Sequence, residues 1–286
     1  VSPRRRLNND SGSNYSARTS GNGSSDATNT SISYFNTYTN YSNPYFQIDN
    51  IVNISNKEKL NISQLVDQNS AGAGTAPQRE EGTNKWANTS ASINRYDSVN
   101  TEGGDYNTGS EVVVLGWDPT DSHTTNFWEE LASVEYSGGT ALTSGTITAK
   151  KYLWVQAYLK IASGTVDSNL WRFNADTGNS YDARYSRDGA TDATNTGISH
   201  MNMNFGAGTR NNQLINMFII NNSANEKLVT GSGISQGASG AGTAPNRLEF
   251  SPKWANTSSQ ITSIQCTQGN SLNFEAGTIM KVWGSD

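Results

Sequence analysis

The chain has one cysteine, Cys266, among 286 residues. That excludes an internal disulfide and any zinc site built on paired cysteines. Two histidines, His123 and His200, with no Cys or His at ligand spacing, give no transition-metal pattern. No apolar run approaches the roughly 18 residues of a membrane-spanning helix, so no membrane insertion is expected. The most apolar windows, Tyr152–Ile161 and Met217–Ile220, are of strand length. Positive charge is also scarce, with 20 Lys and Arg against 25 Asp and Glu and a net charge of -5. Apart from the local run Arg4-Arg5-Arg6, nothing offers a basic footprint for nucleic acid. Leu, Ile, Val and Phe together make only 49 of the 286 residues, below the roughly 20% at which disorder becomes a concern. The low net charge argues against disorder, since self-repulsion is absent. The chain is instead rich in Asn (35), Gly (27), Tyr (12) and Trp (7). That mixture describes short strands joined by many turns.

An internal repeat organises these residues. Asp10-Ser-Gly-Ser-Asn-Tyr15-Ser-Ala-Arg18 recurs as Asp176-Thr-Gly-Asn-Ser-Tyr181-Asp-Ala-Arg184, and the string from Asp26 to Ser33 recurs from Asp192 to Ser199, both at an offset of 166. Glu58-Lys-Leu60 recurs as Glu226-Lys-Leu228, Gly72-Ala-Gly-Thr-Ala-Pro77 as Gly240-Ala-Gly-Thr-Ala-Pro245, and Lys85-Trp86-Ala-Asn-Thr-Ser90 as Lys253-Trp254-Ala-Asn-Thr-Ser258, all at 168. Two units follow, 1–118 and 119–286, and residues 119–166 have no counterpart in the first.

Period-2 alternation makes Tyr152–Ile161 the best strand in the chain. Further strands are expected at Thr146–Ala149, Asn169–Phe173, Ile198–Phe205, Leu214–Asn221, Lys227–Val229, Leu248–Trp254, Gln260–Cys266 and Thr278–Trp283, and a short helix at Asn126–Ser133. Eight or nine short strands in about 168 residues match an all-β, jelly-roll-like β-sandwich. The first unit then lacks its N-terminal strands, and an unfilled central position would leave open sheet edges. Three sources could fill it: residues upstream of Val1, which opens the chain with no signal-peptide pattern, a strand exchanged with another copy of the chain, or a first unit that has dispensed with those strands.

Catalytic signatures fail on context. Gly233-Ile-Ser235-Gln-Gly237 has the spacing of a nucleophile elbow, but that motif needs an α/β sheet and a later His, whereas His123 and His200 both precede Ser235. His200 falls on Tyr34 of the first copy and reads as an aromatic strand position. The Gly-Ala-Gly-Thr-Ala-Pro loops lack the Lys-Ser/Thr of a phosphate cradle and read as turns. No enzyme activity and no cofactor are expected. The polar set kept in both copies is Asp10, Tyr15, Arg18 and Asp26, with Asp176, Tyr181, Arg184 and Asp192. A carboxylate–Arg bond pinning a long loop is its favoured reading. Calcium is the alternative, with Asp10 and Asp176 as carboxylate candidates beside Asn8, Asn14, Asn174 and Ser180, although their spacing is not that of an EF-hand loop. Trp86 and Trp254 read as covers of the sandwich end, with stacking on host-surface glycans as the alternative, shared with the tyrosine-rich stretch Tyr34–Tyr45. Sequons such as Asn14, Asn53, Asn88 and Asn256 arise readily in so Asn-rich a chain.

The Asn-x-Asp-Ser/Thr-Gly-x-x-Tyr-x-x-Arg segment, Phe218-Ile-Ile-Asn-Asn-Ser-Ala-Asn-Glu-Lys-Leu228, the two copies of Ala-Gly-Thr-Ala-Pro and Lys-Trp-Ala-Asn-Thr-Ser, and the closing Lys281-Val-Trp-Gly-Ser-Asp286 resemble β-rich virion or tail-associated structural proteins of marine tailed phages and archaeal viruses. The resemblance covers residues 119–286 and, without its first strands, 1–118. It implies a non-enzymatic component of a virion or extracellular surface (capsid, decoration, tail or fibre) that partners with copies of itself and with other virion proteins. A carbohydrate-binding attachment module is the alternative.

Overall fold

A computed structural model describes residues 3–36, 43–101, 103–116, 126–161, 168–205, 212–236, 241–269 and 273–286. The described residues form 19 strands, all paired antiparallel where registers are defined, and no α-helix. The fold is all-β, with sheets of the kind that make β-sandwich units. Two compact units are present, Val1–Leu65 with Arg79–Asn126, and Val66–Gln78 with Phe127–Asp286.

The first unit contains β1 (Pro3–Leu7), β2 (Tyr15–Gly21), β3 (Ala27–Ile32), β4 (Tyr45–Ile51), β5 (Lys59–Asp67), β6 (Gln78–Trp86) and β7 (Tyr96–Asn100). Five of them form a sheet in the order β3-β2-β6-β5-β4, and β1 pairs with β7. The tip of the β5–β6 hairpin, residues 66–78, belongs to the second unit.

The second unit contributes β8 (Glu129–Glu135), β9 (Ala141–Thr143), β10 (Tyr152–Lys160), β11 (Ser168–Phe173), β12 (Tyr181–Arg187), β13 (Ala193–Ile198), β14 (Met201–Asn204), β15 (Asn212–Ile220), β16 (Lys227–Ser235), β17 (Asn246–Trp254), β18 (Ile264–Gln268) and β19 (Ile279–Ser285). One sheet runs β13-β12-β17-β16-β15-β10-β19-β8 and the other β14-β11-β18-β9. Leu153, Val155, Ala157 and Leu159 alternate inward along β10, as the period-2 pattern requires. They meet Trp171, Phe173 and Cys266 of the smaller sheet in one apolar cluster. Gly231 of β16 is needed there, because a Cβ would come 2.5 Å from the Asn216 carbonyl oxygen and 2.7 Å from the Phe250 ring.

Three expectations are corrected. The helix expected at Asn126–Ser133 is absent: Glu129–Glu135 is strand β8, which pairs with β19 and turns Leu131, Ala132 and Val134 against the core. Thr146–Ala149 forms no strand; Ile147 is buried and its N–H donates to the Thr262 carbonyl, while the pairing falls to Ala141–Thr143. His200 occupies a bend between β13 and β14 rather than a strand position, and His123 and residues 117–125 lie outside the described residues.

The two interiors differ in kind. Among described residues the second unit's cluster holds 26 buried hydrophobic residues and the first unit's only four, Leu7, Tyr15, Phe35 and Trp86. At the repeat offsets, the second unit's buried Trp171, Val229 and Leu248 are replaced by Arg5, Asn61 and Glu80, which are buried too. Asp49 is the hub of this polar interior. It accepts from Arg5 Nη1 at 2.9 Å, Asn61 Nδ2 at 2.9 Å, Tyr96 Oη at 2.7 Å and Gln47 Nε2 at 3.1 Å. Burial pushes the Arg5 guanidinium down, but Asp49 beside it more than offsets this and holds it above its ordinary value. Burial, with the Asp49 charge, pushes the Tyr96 hydroxyl well up.

Removing one member of a buried ion pair strands the other. Asp49→Ala is therefore expected to cost about 3–5 kcal/mol in urea unfolding. Asp26→Ala, which breaks an exposed pair with Arg18 at 3.4 Å, is expected to cost under about 0.5 kcal/mol. Equal effects would contradict the polar-core account.

Candidate functional site

Strands exposed on one face alternate buried and exposed residues; a continuous buried run means that both faces are covered. β17 ends in such a run, Phe250 to Trp254, and β16 begins with one, Lys227 to Gly231. Within the second unit, the outer cover of these strand ends is the loop 68–77, the first Gly-Ala-Gly-Thr-Ala-Pro segment.

A charged socket lies beneath the loop. Asp182 of β12 stands opposite Lys253 of β17 in the ladder. Lys253 Nζ lies 3.6 Å from Asp182 Oδ2 and 3.6 Å from Glu226 Oε2, with side-chain exposures of 0%, 0% and 3% for Lys253, Asp182 and Glu226. The ammonium also donates to the carbonyls of Gln68, at 3.2 Å, and Ser70. The carboxylates receive the loop's N–H groups: Gly74 N–H donates to Asp182 at 2.9 Å and Gly72 N–H to Glu226. Arg184 Nε donates to the Pro77 carbonyl at 2.7 Å and its guanidinium lies 3.8 Å from Asp192. Both loop glycines hold positive φ, 81° at Gly72 and 123° at Gly74, where a side chain would be strained. The socket thus recognises a backbone shape, with anionic groups meeting N–H donors and cations meeting carbonyls.

The remaining signature residues form a corner that is alike in both strings. Trp86 Nε1 donates to Asp10 and Trp254 Nε1 to Asp176, each at 2.7 Å. The Tyr15 hydroxyl accepts from the Leu7 N–H and the Tyr181 hydroxyl from the Phe173 N–H. Tyr15 stacks on Trp86, and Tyr181 on Trp254. Lys59 and Lys227 lie 5.8 Å above the respective indoles. Burial pushes both phenols up, Tyr15 to about 12, against the backbone hydrogen bonds. Partial burial pushes Asp10 and Asp176 up, but the indole N–H bond together with the neighbouring donors outweighs it and holds both below the ordinary carboxylate value.

Each set holds a carboxylate–Arg pair, Arg18 with Asp26 and Arg184 with Asp192, while Asp10 and Asp176 are bound by the indole N–H groups of Trp86 and Trp254. The donors that converge on Asp10 and Asp176 are the opposite of what a cation needs, and the described residues contain no group of three or more His, Cys, Asp or Glu suited to a metal. Trp86 and Trp254 are each 1% exposed, so neither presents a face to a sugar. Ser235 is buried at the end of β16, with no hydrogen-bond partner for its Oγ. Lys253 and Glu226 were hidden from motif reading because both sit inside duplicated strings dominated by Trp and Asn; a Lys and a Glu kept in both copies were the available signal. Also outside the expected set is an aromatic band on the outer face of the larger sheet, where Trp154 stacks on Trp283 at 4.6 Å and on Phe218 at 5.7 Å, with Trp128 beside them.

Asp67, at the base of the loop, supplies a pH test. Burial pushes its carboxyl up to about 6, against the Asn69 N–H and the Lys253 charge, which pull it down. A raised acid contributes most below its unfolded value, so stability should fall as pH rises through 4 to 6, by about 3 kcal/mol in all. Asp67→Asn should remove that decline, read from urea midpoints between pH 4 and 8; an unchanged profile would contradict the assignment.

The chain matches no protein-family model, no curated protein and no solved structure.

Proposed function

We propose that the protein is a non-enzymatic structural component that assembles with copies of itself, each first unit being completed by a strand from a neighbour. One observation carries this reading. Val112, Val113, Val114 and Leu115 lie in no strand and are 53%, 43%, 69% and 55% exposed. At an offset of 168 this run falls on β19, which in the second unit pairs with β10 on one side and β8 on the other. A run of exposed aliphatic residues whose counterpart is a central strand is a template for an incoming strand. The motif resemblance supplies the setting, a virus particle or extracellular surface.

Sedimentation velocity over a concentration series is expected to show reversible oligomers, and Val114→Asp to return the protein to monomer. A wild type that stays monomeric at high concentration would overturn the proposal.

The aromatic band favours a second reading, attachment to host-surface glycans, because Trp154, Trp283 and Phe218 are partly exposed together on one sheet face and aromatic rings stack on sugar rings. Trp154→Ala should then abolish signal on a glycan array; an array blank for the wild type would remove this reading.

A further inference from the structure

The loop that fills the socket is present twice, and so is the socket. At offsets of 166 and 168, Lys253, Glu226, Arg184 and Asp192 fall on Lys85, Glu58, Arg18 and Asp26, while Asp182 falls on Ser16. In the first copy these groups are open to water: Lys85 lies 3.3 Å from Glu58, each 42% exposed, where Lys253 is wholly buried. The second loop is equally uncovered. Ala76 and Pro77 are buried whereas their counterparts Ala244 and Pro245 are exposed; the tips, Ala73–Thr75 and Ala241–Thr243, are exposed in both loops. The chain therefore carries a seated loop and socket, plus an exposed loop of the same sequence and an exposed socket of nearly the same composition.

We infer that Ala241–Pro245 of one copy docks on the Lys85–Glu58 surface of a second copy, joining chains head to tail. This rests on the self-assembly reading and adds a second contact between copies to it. Because the two surfaces differ, the contact is heterologous and builds a ring or an open filament rather than a closed two-fold dimer. Ser16 sets its strength. Asp182 gives the Gly74 N–H a charged acceptor, whereas Ser16 offers the Gly242 N–H only a hydroxyl. Hydrogen bonds to charged groups are roughly twice as strong as neutral ones. The joint between copies is therefore weaker than the contact inside the chain, and reversible.

The test uses the full chain, whose native Cys266 is buried. Gly242→Cys is tolerated sterically, since a Cβ there meets nothing within 4 Å, and Ser16→Cys is nearly isosteric. Chains carrying one introduced cysteine each, mixed and gently oxidised, should give a disulfide-linked dimer, and the double variant a ladder of multimers. Ser16→Asp should lower the concentration needed for assembly about tenfold, and Lys85→Glu, which sets two carboxylates side by side, should raise it at least as much. A double variant that closes within its own chain would overturn the proposal. So would assembly by sedimentation without the cross-link and without response to Ser16→Asp or Lys85→Glu; that result would leave self-assembly standing through another surface. A wild type that never assembles would remove both.

Discussion

Lys253 cannot be buried alone. Removing an ammonium from water is costly unless counter-charges and hydrogen-bond acceptors are supplied with geometry to match. Asp182 and Glu226 provide the charge, and the carbonyls of Gln68 and Ser70 provide acceptors. The carboxylates in turn need donors, met by the N–H groups of Gly72 and Gly74. Each requirement is satisfied by the other side, so loop and socket specify one another. That mutual dependence constrains the first Gly-Ala-Gly-Thr-Ala-Pro loop and the second Lys-Trp string together: a change on one side would leave a buried group unpaired on the other.

A different solution operates in the first unit's interior. Arg5, Asn61 and Tyr96 converge on Asp49 where the second unit packs aliphatic and aromatic side chains. Such a network specifies geometry but adds little net stability, because desolvation offsets much of the pairing. With four buried hydrophobic residues in its described cluster, the unit has little apolar core, and the aliphatic run at 112–115 remains on the surface. Leu, Ile, Val and Phe are nearly as frequent in residues 1–118 (19) as in 119–286 (30), but in the first unit more of them lie at the surface.

Strand positions were legible wherever one face is apolar, as in Tyr152–Lys160, because alternation survives in sequence when a strand has a dry and a wet side. They were illegible where it does not. Tyr181–Arg187 is buried on both faces in a pattern no period-2 rule detects, and Glu129–Glu135 carries three glutamates on an edge. The signature residues were found because they recur, but their partners were not: Asp10 and Trp86 are 76 positions apart, and only the fold reveals that bond. Lys253 and Glu226 recur as well, yet their burial depends on a loop more than 150 residues away in sequence.

A neighbouring copy is expected to cover what the single chain leaves open. Hydrogen exchange of the backbone amides, followed at low and high protein concentration, tests it most directly. Exchange in 112–116 and 241–245 is predicted to slow as concentration rises, while the already seated 68–77 does not change. Exchange in those segments that is independent of concentration would contradict the claim.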